Sequence, residues 1–334
     1  MKNKKISYGE AIRKGFEYLL ENYEECFVIG QGLWSPWYVG NTMKDLDSKF
    51  GKERIIDTPV SEAACTGLAI GASLCGSKAI VVHPRMDFML YAMDPIINQA
   101  AKWNNMTGGN NSPGVTIRSI VNRGGEQGAQ HSQSLHALFS HIPGLKVVMP
   151  STVRDARDLL VASVLSKNPV IYIDDRWLYE TEDEIEDLVD ISSIESFGPK
   201  VLREGNDLTI VASSFSTYLA LQLSADKNFS ASLSSEIIDL RVLNPLNIDP
   251  IINSVKKTKN IVVIDGGTKT CGYAAEIISS VVEKISLNVL EKKPLRITLP
   301  DASAPTSSVL EKVYYPDLDT IRSKIFSHFN EKNN

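Results

Sequence analysis

The chain has 334 residues, 43% hydrophobic and 22% charged, enough for two ordinary soluble domains each with its own core. The formal net charge of −5 argues against a surface built to coat nucleic acid. No apolar run reaches the ~18 residues a spanning helix needs, and the basic start MKNKKISYGE lacks the apolar stretch of a secretory signal.

In chain order, Ser7 stands three residues before Glu10, a capping-box spacing, and Ile12, Phe16, Leu19 and Leu20 then form an apolar helical stripe. Cys26–Gly30 is predicted as a buried strand, followed by the loop GQGLWSPWYVG. A helix rich in small residues is predicted from about Ser61, with Gly67 and Gly71 on one face where another backbone could approach. Lys78–Pro84 is the next strand. Asp94-Pro95 has the pattern of an N-cap and first helical residue. GVTIRSIV and LKVVMPS read as strands on either side of the glycine- and amide-rich stretch NRGGEQGAQHSQS. A helix from about Thr152 and a strand over Asn168–Asp174 complete the alternation of a parallel sheet covered on both faces.

The acidic stretch ETEDEIEDLVDISSIESFGPK interrupts the pattern. The predicted organisation is therefore a first α/β domain over 1–190, a linker over 191–203 and a smaller α/β domain over 204–334. In the latter, strands are expected at Asp207–Ser213, Glu236–Val242 and Asn260–Gly267, with a helix over CGYAAEIISSVVEKI. Cys26, Cys65, Cys75 and Cys271 form no CxxC pair and are expected to be buried free thiols in a reducing compartment, the cytoplasm.

Three segments could carry chemistry. His131 lies in a loop that Gly124, Gly125 and Gly128 free to adopt unusual dihedrals; it is either an acid or base at a site or a surface residue preceding a helix that begins at Ser132 or Ser134. His136 and His141 read as exposed or capping residues of that helix. Glu62, in the first turn of the small-residue helix, either complements the helix dipole or exchanges a proton with a ligand packed against that helix. VVHPRMDFML ends a parallel strand, where ligands of such sheets bind; Arg85 could hold an anion and Phe88 could stack on a ring, or Arg85 could pair with Asp87 in a solvated loop. There is no GxGxxG after the first strand, no P-loop and no GxSxG.

The segments RIIDTPVSEAACTGLAIGASLCG, DFMLYAMDPIINQAAKWNNMTGG, QHSQSLHALFSHIPGLKVVMPST, EIIDLRVLNPLNID and PDASAPTSSVLEKVYYPDLDTI resemble the beta subunit of the thiamine-diphosphate-dependent E1 component of 2-oxo acid dehydrogenases of the pyruvate and branched-chain type, over about Ser7–Ile321. The resemblance implies a pyrimidine-binding domain followed by a transketolase-type C-terminal domain. It implies an α2β2 assembly in which an alpha subunit holds the diphosphate and Mg²⁺, and transfer of the acyl unit to a lipoyl E2. These 334 residues contain no GDG motif of the kind that holds the metal diphosphate.

By that resemblance Glu62 is the glutamate that hydrogen-bonds the aminopyrimidine, Phe88 the aromatic packed against it, and His131 the histidine near substrate and the incoming lipoyl group. Departures from the family pattern are Gln31 in place of an acid, and His83 and Arg85 before the DF pair, which would suit an acidic or phosphorylated substrate. In SKNP, Asn168 matches a K⁺-binding asparagine while Ser166 replaces the acid. At Ile264–Gly272, IDGGTKTCG departs from the family's usual text, so the docking partner expected at that edge differs too. The alternatives are one half of a split transketolase-like or acyloin-forming enzyme, and a non-catalytic pseudo-subunit.

Overall fold

In the computed structural model, which describes residues 4–186 and 193–330, the first helix is set by its own sequence. Ser7 Oγ accepts from Glu10 N at 3.2 Å and the Glu10 carboxylate accepts from Ser7 N at 2.9 Å, the expected capping box. The Tyr8–Asn22 helix buries Ile12, Phe16, Leu19 and Leu20 and packs against the Val153–Val164 helix, which Thr152 caps through Asp155 N.

Among the described residues, eight strands precede the acidic stretch's end: β1 (Lys4–Ser7), β2 (Cys26–Gln31), β3 (Ile55–Thr58), β4 (Lys78–His83), β5 (Thr116–Val121), β6 (Lys146–Val148), β7 (Val170–Asp175) and β8 (Glu182–Ile185). Six more follow: β9 (Lys200–Arg203), β10 (Leu208–Ala212), β11 (Ser235–Asp239), β12 (Val242–Asn244), β13 (Ile261–Thr268) and β14 (Leu295–Leu299). Two units result. The first comprises the described parts of 1–123, 131–197 and 242–245; the second comprises 124–130, 198–241 and the described residues from 246 onward.

The first unit holds a seven-stranded sheet in the order β12-β6-β7-β5-β4-β2-β3, parallel except for β12, and a small antiparallel pair of β1 with β8. Strands β5 and β7 are buried at every residue, as parallel strands covered on both faces must be. Burial of Val and Ile side chains such as Val28, Ile80, Ile117 and Ile171 contributes about 1.5–3 kcal/mol each. Arg118 in the middle of β5 is fully buried. Burial works against its charge, but Asp174 outweighs this through a bidentate pair (Nε–Oδ1 2.9 Å, Nη2–Oδ2 2.7 Å), so its affinity for the proton is raised.

The second unit is a five-stranded sheet, β14-β13-β10-β11-β9, parallel except for β9. Its core joins Leu208, Ile210, Ile237 and Val262 to Phe229, Ile321 and Ile325 from the helices. The expected boundary at 190 and residues 191 and 192 of the expected linker lie outside the described residues. Of the rest of that linker, Ile194–Ser196 is one 3₁₀ turn and Lys200–Arg203 is β9.

Four local expectations are corrected. Asp94 is not an N-cap: its φ of −63° and ψ of −55° are helical, because the chain is already coiled from Met86, and its carboxylate accepts instead from Asn98 Nδ2 at 2.8 Å. The segment EIIDLRV is not one strand. Arg241, at φ 56°, breaks it, so Ser235–Asp239 stays in the second sheet and Val242–Asn244 pairs with β6 in the first. Of the four free cysteines, Cys26 and Cys65 are buried but Cys75 and Cys271 are exposed. His136 is buried rather than exposed and opens the His136–Ser140 helix, which begins later than Ser132 or Ser134; its Nδ1 meets Ser134 Oγ at 2.9 Å.

Candidate active site

In the seven-stranded sheet the chain leaves β2 to one side, forming β3, and returns on the other side as β4, so the carboxyl ends of β2 and β4 mark a topological switch point. The two strands touch there so closely that a Cβ on Gly30 would sit 2.3 Å from the Val82 carbonyl oxygen, and only glycine fits. The Asp57 carboxylate at the end of β3 accepts from Gly32 N (2.6 Å) and Leu33 N (3.3 Å), which fixes the turn after Gln31.

A cavity of about 10 Å³, the room of a single water, lies at this point between Gln31, Thr58, Glu62, Cys65 and His83. Glu62 opens the Glu62–Leu74 helix, and Cys65 Sγ donates to Thr58 Oγ1 at 3.4 Å to tie that helix to β3. Ser61, the residue before the helix, makes no side-chain cap; its Oγ donates to the Val60 carbonyl. Glu62 is half-buried and makes no hydrogen bond or ion pair among the described residues. Gln31 Oε1 is a buried carbonyl oxygen with no donor. Gly67 and Gly71 face outward, with no atom of the chain within 4 Å of where a Cβ would be.

His83 is buried and its Nε2 lies 3.2 Å from Thr66 Oγ1. Burial pushes the imidazole down to about 4, so it is neutral near pH 7. An imidazole in that state offers one donor and one acceptor.

Phe88 and His131 meet edge to face, with ring centroids 5.3 Å apart and planes at 80°. A clamp sets this contact. Gln133 Nε2 donates to Asp87 Oδ1 at 2.7 Å, Gln133 N reaches Asp87 Oδ2 at 3.3 Å, and Leu135 N donates to Met86 Sδ at 3.2 Å. Burial raises the Asp87 carboxyl above its ordinary range, against the pull of these bonds. The loop before His131 bends as its glycines suggested: Gly124, Gly125 and Gly128 have φ of 70°, 66° and 73°, and Glu126 joins them at 60°.

The Asp87 carboxylate is thus engaged by Gln133, while Arg85 Nη1 donates to the carbonyls of Pro84 (2.6 Å) and Tyr38 (3.3 Å). Asn168 stands apart, in the turn before β7. Its Oδ1 accepts from Ser112 Oγ at 3.4 Å, beside a cavity of about 310 Å³ whose wall includes Lys102, donating to the Pro143 carbonyl at 3.0 Å. No cluster of three or more His, Cys, Asp or Glu suited to a metal occurs among the described residues.

The switch point therefore gathers Glu62, Gln31 and His83 around one cavity, and the clamp gathers Phe88 and His131. Thr66, Gln133 and Arg176 were not singled out from sequence as contributors, and Asp87 was read there only as a partner for Arg85. For Arg176 a signal existed, its place directly after a parallel strand.

Two family models match the chain: the transketolase pyrimidine-binding domain over residues 4–181 and the transketolase C-terminal domain over 199–321. The chain is 32% identical to the mitochondrial pyruvate dehydrogenase E1 component subunit beta of Saccharomyces cerevisiae, covering 95% of this chain and 87% of that protein. It is 33% identical to the acetoin:2,6-dichlorophenolindophenol oxidoreductase subunit beta of Bacillus subtilis, covering 95% of each. Among solved structures, a split-gene transketolase described as an inactive beta4 tetramer superimposes with a TM-score of 0.74 at 18% identity, covering 97% of this chain and 98% of that one, a likeness of fold. The chain belongs to the family of E1 beta subunits of thiamine-diphosphate-dependent 2-oxo acid dehydrogenases, built from transketolase-type pyrimidine-binding and C-terminal domains.

Proposed function

We propose that this chain is the beta subunit of a heteromeric thiamine-diphosphate-dependent E1 enzyme that decarboxylates a 2-oxo acid and passes the acyl unit to lipoamide on an E2 component. The observation that carries the proposal is Glu62: a half-buried carboxylate at the switch point with no side-chain partner among the described residues, beside the unsatisfied Oε1 of Gln31. Two acceptors left open at a partly buried point are costly unless a ligand completes them, and an aminopyrimidine presents both a ring nitrogen that can carry a proton and an amino group that donates.

Bound thiamine diphosphate supplies the electron sink for breaking a carbon–carbon bond beside a carbonyl. Glu62 would hold and exchange the proton at the pyrimidine ring nitrogen, Gln31 Oε1 would accept an amino hydrogen, and Phe88 would lie against the ring. His131, kept in place through Phe88 and the Asp87–Gln133 clamp, would move a proton at the substrate oxygen or the incoming thiol. Neutral His83 would donate or accept one hydrogen bond without adding charge to the cleft. The diphosphate and Mg²⁺ fall to an alpha-type partner in an α2β2 assembly, because these 334 residues carry no motif for them. The cytoplasm, where the four free thiols stay reduced, is the proposed location.

Polar His83 and charged Arg85 at the strand end also support a second reading, a split transketolase-like or acyloin-forming enzyme with an aldehyde acceptor. The discriminating experiment is co-purification with the alpha-type partner, followed by 2-oxo-acid-dependent dye reduction and a lipoamide-transfer assay. The proposal expects both activities in the mixture and neither in this chain alone. Carbon–carbon ligation to an aldehyde without lipoamide transfer favours the second reading, and full turnover by this chain alone contradicts both.

A further inference from the structure

We propose that Glu126 and Glu311 form a two-way clasp that positions His131, by tying the glycine loop before the imidazole to the Ser308–Tyr314 helix of the second unit. The chain leaves the first unit after Arg123, runs through 124–130 as part of the second unit and re-enters the first at His131. Glu126 and Glu311 thus belong to one unit, and His131 follows Glu126 five positions along the chain.

Each glutamate gives the other segment one acceptor. Glu311 Oε1 accepts from Glu126 N at 2.9 Å, and Glu126 Oε1 accepts from Ser308 N at 3.1 Å. The helix uses the second bond. Ser307, at its N-cap, makes no side-chain hydrogen bond, and Ser308 N is among the first N–H groups that no helical turn can satisfy. Glu126, 182 residues earlier in the chain, supplies that acceptor. The helix itself has no buried residue; the buried Tyr315 beyond it packs with Leu299 and Ala304 and anchors its far end, so the near end depends on hydrogen bonds. The loop uses the first bond. Gly124, Gly125 and Gly128 take positive φ at no steric cost, but Glu126 takes 60° while carrying a side chain. Such a backbone persists where its surroundings over-determine it, and here both the N–H and the carboxylate of Glu126 are engaged. The loop leans on the same stretch at a third point: a Cβ on Gly128 would lie 2.8 Å from Thr306 Oγ1. The Asp87–Gln133 clamp holds the chain just after His131, and the clasp holds it just before. Both glutamates act through the backbone, so they are positioning residues and move no proton themselves.

The use of His131 in proton transfer rests on the reading above, whereas the clasp needs no catalysis, so the two can fail separately. The full-length chain is labelled at histidine, and the His131 ring signal, which the edge-to-face contact with Phe88 displaces, is followed by NMR together with amide exchange over 124–131. Glu311→Ala should move or broaden that signal and speed exchange of the loop amides by about tenfold or more. Glu311→Gln, which keeps an acceptor oxygen, should restore most of both. If Glu311→Ala does not fold, Glu126→Ala, which removes the other bond, takes its place with the same expectation. In the reconstituted enzyme Glu311→Ala should lower kcat by about tenfold and leave KM within about twofold. An unmoved His131 signal with unchanged loop exchange in the folded truncation, or equal effects of the Ala and Gln variants, overturns the proposal. A moved signal with unchanged kcat upholds the clasp and faults the role given to His131.

Discussion

Asp265 and Glu62 are acids of two parallel-sheet units put to opposite uses. Asp265, in β13, accepts from Gly267 N at 2.8 Å and Ala274 N at 2.9 Å, so it spends its carboxylate on the turn and on the start of the Tyr273–Lys284 helix. Glu62, at the start of the Glu62–Leu74 helix, caps nothing and meets no donor among the described residues, and its neighbour Gln31 keeps a buried oxygen open. Similar architecture thus yields a strand end closed by its own chain and one left open. In these units it is the unspent polar group, not the acid as such, that marks the candidate site.

The widest separation between the two is expected in cofactor binding. If the open end is half a site, the purified chain alone should bind thiamine diphosphate with Mg²⁺ at least about a thousandfold more weakly, some 4 kcal/mol, than the chain with its alpha-type partner. Calorimetry on both samples reads this, and tight Mg²⁺-dependent binding by the lone chain breaks the comparison.

The next effect belongs to His83. Its folded value of about 4 lies below the 6.5 of a free imidazole, so the unfolded chain binds the extra proton between those values. His83's contribution is therefore fully present above about pH 6.5 and is lost as pH falls toward 4, by at most about 3 kcal/mol. Denaturant midpoints from pH 4.5 to 7 should slope less in His83→Gln than in the wild type; equal slopes contradict the burial assignment.

Smaller again is Asp265→Ala, expected to cost about 1–3 kcal/mol in urea unfolding by orphaning two backbone N–H groups, while leaving cofactor affinity of the reconstituted enzyme unchanged. Smallest, at about tenfold or 1.4 kcal/mol, is the loss of kcat/KM expected in Arg85→Met for an anionic substrate relative to an apolar one. Equal losses on both remove Arg85 from substrate choice.

What the sequence made legible was what neighbours along the chain decide. The Ser7–Glu10 capping box, the Thr152-led helix, the alternating strands and the positive φ of Gly124, Gly125 and Gly128 all depend on local residues. Glu62, Phe88 and His131 were legible as candidates for the same reason, each within a short pattern. Properties that depend on distant partners were not. Asp94 has the text of a cap, but a coil already begun at Met86 claims it. His136 has the spacing of a surface residue yet is buried. The split of EIIDLRV turns on the left-handed backbone of Arg241, a residue with no intrinsic preference for it. Arg85 had an evident candidate partner in Asp87, and only the fold shows Gln133 holding that acid and Arg176 sharing the Pro36–Tyr38 loop.

The central claim, that the Glu62 carboxylate is left open for the cofactor's pyrimidine, is tested most directly by hydrogen–deuterium exchange at the thiazolium C2 position in the reconstituted heteromer. Glu62→Gln keeps the volume and removes the exchangeable proton. The account predicts that exchange slows by about 10²–10⁴-fold while the denaturant midpoint stays near that of the wild type. An unchanged exchange rate in a folded, cofactor-loaded Glu62→Gln enzyme would contradict it.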